Sequence, residues 1–172
     1  MTNNTSTRRR SVFAAGHYRK FLVVVDETPE VESALAFAAF RVRRSGGSVA
    51  LLYVIEPPEF QDWLGVKDVY LEEQQAKAKA VFRLFRRKLK GYGCEDAQAE
   101  DVIREGKKAE QILKHIQEDQ DIAILVLGAS TDPKGPGPLV SSLAAGKLAG
   151  SFPVPITIVP GHLSPEDIEG IA

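Results

Sequence analysis

Apolar side chains cluster in five short runs along this chain, and the runs predict five β-strands. The runs at residues 48–55 and 122–128 are apolar at almost every position. Such continuous apolarity is typical of parallel strands that are covered on both faces. The other runs occupy residues 21–25, 97–103 and 153–160, and prolines bound the last of them. Because prolines confine a strand to an edge or a boundary, the last run predicts an edge strand.

Between these runs, apolar residues recur at helical spacing. From Val31 to Val42 they form one face, with Thr28 placed to cap the helix and Pro29 at its first position. Further helices are predicted at residues 69–90, 110–118 and 139–149, and a last helical turn follows Ser164. Strands that alternate with helices favour a mostly parallel sheet with right-handed crossovers. The sequence therefore predicts an α/β fold of three layers, α/β/α, around one five-stranded, mostly parallel sheet.

Basic residues are concentrated at the start of the chain. The first twenty residues contain five cations and no acid, whereas the whole chain of 172 residues has a formal net charge of -1. The remainder is therefore acidic, which disfavours a nucleic acid as a partner. We predict a disordered basic tail at residues 1–18, one domain at 19–160, and a C-terminal tail with a short helical turn at 161–172.

Cysteine usage and hydropathy bear on the compartment. Cys94 is the only cysteine, so a disulfide or a thiolate metal site within one chain is excluded. A chain without disulfides fits a reducing cytoplasm. No apolar run approaches the ~20 residues that a membrane helix requires, and the one after the basic start is too short for a signal peptide. The sequence predicts a cytoplasmic protein with no membrane partner.

The stretch 122–142 carries the candidate chemistry. Gly128 ends an apolar strand, and a loop with Gly135 and Gly137 leads to Ser141 and Ser142 at the start of a predicted helix. Open parallel sheets place ligands at the carboxyl ends of their strands. Free amides at a helix start favour an anion such as phosphate. The stretch predicts a crevice for an anionic ligand, and a loop that binds nothing is the alternative.

Five segments, taken in order, resemble the universal stress protein family over about residues 19–160. They are Val23-Val-Val-Asp26, Leu51-Leu-Tyr-Val-Ile55, Gly106 with Glu110 and Ile112, Leu125-Val-Leu-Gly128, and Pro155-Ile-Thr-Ile-Val159. The resemblance implies the fold of that family, which is like that of the adenine-nucleotide alpha hydrolases.

The nucleotide motif of the family is Gly, two residues, Gly, nine residues, Gly, then Ser or Thr. Starting the motif at Gly128 places its second glycine on Thr131, its third on Ser141 and its hydroxyl residue on Ser142. The spacing is kept, but two glycines are substituted. Because glycine alone takes positive φ without strain, we expect the family's loop shape to be strained here, or the loop to be remodelled.

The resemblance also implies how adenosine would be held. It assigns a ribose contact to Asp26 and an adenine contact to the main chain of Val54. A turn carboxylate and simple core packing are the competing explanations for these two residues. The full set of residues assigned to the site is Val25, Asp26, Val54, Gly128, Thr131, Gly135, Gly137, Ser141 and Ser142.

The resemblance implies a stress sensor or regulator that binds ATP, a related adenine nucleotide or a related anion, with Mg²⁺ only where a nucleotide is bound. No nucleophile or base stands out, so we predict no enzyme beyond slow incidental nucleotide hydrolysis. The alternative is a dimeric signalling or interaction module that has lost nucleotide binding. A homodimer is predicted through the edge strand between Pro155 and Val159, unless the tail from His162 to Ala172 covers that edge.

Three other kinds of site do not fit the sequence. A response-regulator receiver needs an aspartate at the end of its middle strand, where this chain has Arg104. A Walker phosphate loop needs Gly-x-x-x-x-Gly-Lys-Ser/Thr, and Leu148 follows Lys147 here. The three histidines lie far apart without clear carboxylate or cysteine companions, so we predict no metal site and no catalytic triad.

Overall fold

The computed structural model describes residues 10–58 and 65–172, and five strands form one sheet. The strands are β1 (Lys20–Val24), β2 (Ser48–Ile55), β3 (Ala99–Glu105), β4 (Ile122–Ala129) and β5 (Ile156–Pro160). The helices are α1 (Val31–Ser45), α2 (Val66–Gly91), α3 (Lys108–Glu118) and α4 (Pro165–Ile171). The strand order is β3-β2-β1-β4-β5, and every pairing is parallel. The predicted α/β architecture is confirmed, and the sheet is parallel throughout.

Helices cover both faces of the sheet and create two apolar cores. On one face, residues of α1, α2 and α4 pack against strand residues such as Phe21 and Leu51. On the other face, Ile112 and Ile116 of α3 pack against strand residues such as Leu22. Every residue of β2 is buried. Burial on both faces explains why the central strands show no alternation of polar and apolar residues.

The order of the strands reverses between β1 and β4. The chain runs outward from β1 to β2 and β3 on one side, and from β4 to β5 on the other. Loops leave the two central strands in opposite directions at such a point, so the carboxyl ends of β1 and β4 border a crevice.

The segment after the glycine-rich loop differs from the helix predicted at residues 139–149. It forms one π-helical turn, Val140–Ala144, and then a 3₁₀ turn, Ala149–Ser151. Val140 and Leu143 are the buried residues of the first turn, and the second has none. Beyond Leu143 the segment buries no residue, and Leu148 is exposed, so no packed apolar face stabilises a longer helix here.

The first described residues contact the end of α3. The guanidinium of Arg10 donates to three main-chain carbonyls between Ile116 and Ile122, at 2.5–3.0 Å. His17 pairs with Asp121 at 2.6 Å. A cation at the C-terminal end of a helix satisfies carbonyls that have no partner within the helix. Arg10 and His17 thus make specific contacts inside the stretch assigned to a disordered tail, and residues 1–9 of that prediction lie outside the described residues.

The C-terminal tail forms α4, which is longer than the single turn predicted. Ser164 Oγ accepts from the Asp167 amide at 3.1 Å, and the Asp167 carboxylate accepts from the Ser164 amide at 3.1 Å. Such a capping box starts a helix reliably. Ile168 is fully buried against α1, and Arg44 of α1 donates to the Glu169 carbonyl at 2.6 Å. The tail therefore packs on α1 and does not cover the outer edge of β5.

Hydropathy gives one further result. In residues 10–58 and 65–172, no helix combines the length and the apolarity needed to cross a bilayer. The longest helix, α2, carries charged side chains along most of its exposed surface.

A buried histidine predicts a loss of stability in mild acid. His115 of α3 is 8% exposed, and its Nδ1 lies 3.5 Å from Arg104 Nη1. Burial and the Arg104 cation lower the pKa of His115 below its ordinary 6.5, outweighing the carboxylates of Asp119 and Glu100. The unfolded chain therefore takes up this proton at a higher pH than the folded chain. The contribution of His115 to the free energy of unfolding is therefore fully present above about pH 6.5. It is lost as the pH falls toward the pKa of His115 in the folded protein, by at most about 1.4 kcal/mol per pH unit.

Urea unfolding between about pH 7.5 and pH 5 measures this dependence. We expect His115→Gln to flatten the loss of stability with falling pH. His162→Gln, at an exposed position in the turn before α4, is the matched control and should keep the wild-type slope. Identical slopes for His115→Gln and the wild type would contradict the prediction.

Candidate functional site

The carboxyl ends of β1 and β4 border a cavity of about 130 Å³. Asp26 and Glu30 line it from the β1–α1 connection, Gly128 and Gly137 from β4 and the following loop, and Lys108 from the start of α3. Ligand pockets usually measure about 300–1,000 Å³. A nucleotide would therefore have to widen this cavity, and the glycine-rich loop is the wall without regular secondary structure.

Asp26 organises the turn that follows β1. Its Oδ1 accepts from the Thr28 amide at 2.8 Å and from Thr28 Oγ1 at 2.5 Å. An aspartate that bonds the backbone two residues later is a standard turn device. Oδ2 accepts no hydrogen bond from any residue that the structure describes. Asp26 thus serves as the turn carboxylate, and its second oxygen is available to a ligand.

Val25 and Val54 have buried side chains that belong to opposite cores. β1 ends at Val24, which pairs with Leu52, and the Val25 amide donates to the Leu52 carbonyl at 2.8 Å. The side to which a strand residue bonds alternates along the strand. The main-chain groups of Val54 therefore face the space beyond the end of β1, although Val54 does not line the cavity.

Gly128 makes room for the start of α1. A Cβ at Gly128 would lie 2.1 Å from the Glu30 carbonyl oxygen, and one at Gly161 would lie 3.0 Å from Glu30 Cβ. The two glycines let Glu30 seat against the ends of β4 and β5. The Glu30 carboxylate then reaches the loop, where Oε1 lies 3.9 Å from the place that a Cβ on residue Gly137 would occupy. A close backbone approach therefore requires Gly128 whether or not a ligand binds.

The glycine-rich loop is closed by its own hydrogen bonds. The Ser130 amide donates to the Pro136 carbonyl at 2.9 Å, and Asp132 Oδ1 accepts from the Lys134 amide at 2.9 Å. The Gly135 amide donates to the Asp132 carbonyl at 3.1 Å. The loop therefore satisfies several of its amides internally instead of presenting them to a ligand.

Thr131 and Ser141, which replace two glycines of the motif, cause no backbone strain. Positive φ falls on Gly135 (139°) and Gly137 (102°), and every other positive φ among the described residues also belongs to a glycine. Thr131 is exposed on the loop. The loop is therefore remodelled rather than strained, because its own glycines adopt the conformations that only glycine tolerates.

The Ser141 amide and the Ser142 hydroxyl are both engaged within their own turn. The Ser141 amide donates to the Gly137 carbonyl at 3.1 Å, and Ser142 Oγ donates to the Leu139 carbonyl at 3.5 Å. Both side chains are exposed, and the turn that contains them is five residues long. The amide of Ser141, which the sequence analysis expected to be free for an anion, is therefore engaged.

Lys108 adds a positive charge that the sequence analysis missed. Its side chain lines the cavity, while its amide donates to Glu56 Oε1 at 3.2 Å. Its ammonium forms no ion pair with another residue in the described ranges. The sequence could have indicated Lys108, because it follows Gly106 by two residues and so starts a helix at the carboxyl edge of the sheet. Glu30 gave no comparable signal, because its side chain reaches the loop only through the folding of α1 onto β4.

Metal ligands do not gather in this part of the molecule. Over residues 10–58 and 65–172, no three side chains of His, Cys, Asp or Glu come close enough together to hold a metal ion. Among the described residues, the carboxylates on the wall of the cavity are those of Asp26 and Glu30.

The match to a sequence family covers nearly all of this sheet and both sides of the crevice. A family model described as the universal stress protein family matches residues 17–160. The chain belongs to the universal stress protein family. A search of curated protein sequences finds no match to it.

Solved structures of universal stress proteins share the fold. UspA from Lactobacillus plantarum is 19% identical, with a TM-score of 0.66, over 83% of this chain and 97% of that chain. A universal stress protein in complex with cAMP is 16% identical, with a TM-score of 0.60, over 83% and 97%. The universal stress protein from Archaeoglobus fulgidus in complex with dAMP is 19% identical, with a TM-score of 0.54, over 83% and 98%.

The predicted site residues of this universal stress protein separate into two groups. Asp26, Gly128 and Gly137 line one cavity. The other six do not line it: Val25, Val54, Thr131, Gly135, Ser141 and Ser142. Of the residues assigned to adenosine, the structure therefore brings only Asp26 to the cavity, and it joins Gly128 and Gly137 of the glycine-rich stretch there.

Proposed function

We propose that this universal stress protein binds an adenine nucleotide in the crevice between β1 and β4 and acts as a regulatory module. One observation carries the proposal. Asp26 follows the end of β1, Val54 lies on the neighbouring strand β2, and both stand at the carboxyl edge of the sheet beside the point between β1 and β4 where the strand order reverses. Open α/β sheets bind ligands at such a point.

The two groups supply complementary recognition of adenosine. The Val54 main chain offers one donor and one acceptor, which suits the edge of an adenine ring. Asp26 Oδ2 can accept from a ribose hydroxyl while Oδ1 keeps its two bonds to Thr28. The nucleotide widens the cavity by displacing the loop 130–138. Mg²⁺ enters only with a bound nucleotide, because the described part of the chain gathers no three metal ligands.

Two relatives support the choice of ligand. The structures in complex with cAMP and dAMP hold adenine nucleotides on the same fold. The proposed role in this cytoplasmic module is binding without turnover.

We expect Asp26→Ala to weaken nucleotide binding about tenfold or more, because a hydrogen bond to a charged group contributes roughly 1.5–3 kcal/mol. Calorimetry with AMP and ATP measures the change, and circular dichroism confirms that the variant is folded. Asp96→Ala is the matched control, since Asp96 lies before β3 at the opposite edge of the sheet. Equal affinity of Asp26→Ala and the wild type would remove Asp26 from the site.

A second candidate function is a dimeric interaction module without a nucleotide. The cavity of about 130 Å³ and the engaged Ser141 amide favour it. Mass spectrometry of denatured protein distinguishes the two candidates. A co-purified adenine compound supports the first candidate. No such compound, together with no heat from AMP, cAMP or ATP, supports the second.

We also propose that the protein is a homodimer that joins along β5. Among the described elements β5 pairs only with β4, so its outer edge is open. A groove of about 530 Å³ runs beside that edge, with Phe152, Ile156 and Ile158 in its wall. An open edge beside an apolar groove suits pairing with the same strand of a second copy.

A further inference from the structure

The carboxylate of Glu30 is held in the wall of the proposed nucleotide crevice. The backbone of Glu30 packs against Gly128, and its Cβ lies 3.0 Å from the Cβ positions of both Gly128 and Gly161. The half-buried side chain extends to the loop, where Oε1 lies 3.9 Å from the Cβ position of Gly137. The packing of the start of α1 against the sheet therefore fixes the backbone and Cβ of Glu30 beside the crevice.

The charge of Glu30 has no side-chain partner among the described residues, and the dipole of α1, of which Glu30 is the N-cap, compensates only part of it. In the part of the chain that the structure describes, Glu30 forms no ion pair and its side chain accepts no hydrogen bond. Charges near a protein interior interact more strongly than charges in water. A carboxylate at this wall therefore disfavours each negative charge that a ligand brings close to it.

Lys108 sets the number of negative charges that the crevice tolerates. It is the one cation among the described residues that line the cavity. Its single positive charge offsets part of the charge of one phosphate, and further phosphates find no second cation on the described walls. In the closed loop the amides of Ser130, Gly135 and Ser141 are engaged, so they do not compensate a further phosphate unless the loop moves.

We propose that Glu30 is a specificity-determining residue that limits the negative charge of the ligand. The crevice accordingly takes adenosine or an adenine mononucleotide in preference to ADP and ATP. The inference rests on the proposed function, because it assigns the charge preference of that same site.

Calorimetry with adenosine, AMP, ADP and ATP, without divalent cations, tests the proposal. Wild-type affinity is expected to fall from AMP to ATP by about tenfold or more. Glu30→Gln keeps the size of the side chain and removes its charge. This variant should raise ATP affinity about tenfold or more and change adenosine affinity less than about twofold.

Two further variants separate charge from other effects. Glu27→Gln makes the same charge change at an exposed residue that pairs with Lys77 and does not line the cavity, so it should leave the order of the four ligands unchanged. Glu30→Ala removes both charge and volume. ATP affinity that rises in Glu30→Ala but not in Glu30→Gln would show a steric effect and overturn the proposal.

The outcomes also distinguish this proposal from the proposed function. Binding of adenosine with ATP affinity unchanged by Glu30→Gln overturns the role of Glu30 and leaves nucleotide binding intact. A wild-type protein that binds ATP more tightly than AMP also overturns the role of Glu30 and leaves nucleotide binding intact. No binding of any of the four ligands, by the wild type or by Glu30→Gln, overturns both.

Discussion

Gly128→Ala is expected to lower the free energy of unfolding by about 3 kcal/mol, since forcing an extra carbon into a packed site typically costs about 1–3 kcal/mol or more. The new Cβ would meet the Glu30 carbonyl oxygen at 2.1 Å. The obstacle is backbone at the start of α1, so no side-chain rotation can relieve it. The loss should appear without any ligand, because it arises from the packing of α1 on β4.

Urea denaturation followed by circular dichroism measures this change as a lower midpoint with an unchanged slope. Gly150→Ala is the matched control. A Cβ at Gly150 meets nothing within 4 Å and the residue is exposed, so its midpoint should stay at the wild-type value. Equal midpoints for Gly128→Ala and the wild type would contradict the prediction, because they would show that the start of α1 can move away from β4 without a loss of stability.

Ile158→Lys is expected to weaken the proposed dimer about a hundredfold or more. Ile158 is 43% exposed at the open edge of the sheet, beside the apolar groove. Burial of an isoleucine contributes about 1.5–3 kcal/mol, and a two-fold axis makes each substitution act twice. Two lysines brought together across the axis would also repel one another.

Sedimentation velocity over a range of concentrations measures the association. Leu84→Lys is the matched control, because Leu84 is 47% exposed but lies on α2, away from the edge strand. The control should remain dimeric, and both variants should keep the circular dichroism of the wild type. A wild-type protein that is monomeric at micromolar concentration would refute the dimer.

The elements that bury a continuous apolar face could be predicted from the sequence. β2 was expected at residues 48–55 and is found there, because it is buried at every position and glycine and proline pairs flank it. α1 begins at Val31 with Glu30 as its N-cap, so the predicted cap at Thr28 is wrong, because Thr28 donates to Asp26 in the turn after β1. The segment 139–149 does not form one helix because its buried residues end at Leu143, and Leu148 is exposed.

The candidate site was predictable only where local sequence determines it. Asp26 follows directly from the end of β1. The position of Glu30 against Gly128 depends on how α1 packs on β4, and the two residues are far apart in the chain. The engaged amide of Ser141 depends on a carbonyl four residues earlier. A spacing motif records neither a packing distance nor a hydrogen bond, so it could not reveal these features.

The strand order has a consequence for synthesis on the ribosome. β1 lies in the middle of the sheet, but its second neighbour, β4, begins only at Ile122. While the chain emerges, β1, β2 and β3 can pair. The edge of β1 that β4 will cover stays open until roughly a hundred residues after β1 have been made. Open edges and non-local pairings slow folding and invite association between nascent chains. The interval before β4 emerges is therefore the period in which this chain most needs a chaperone.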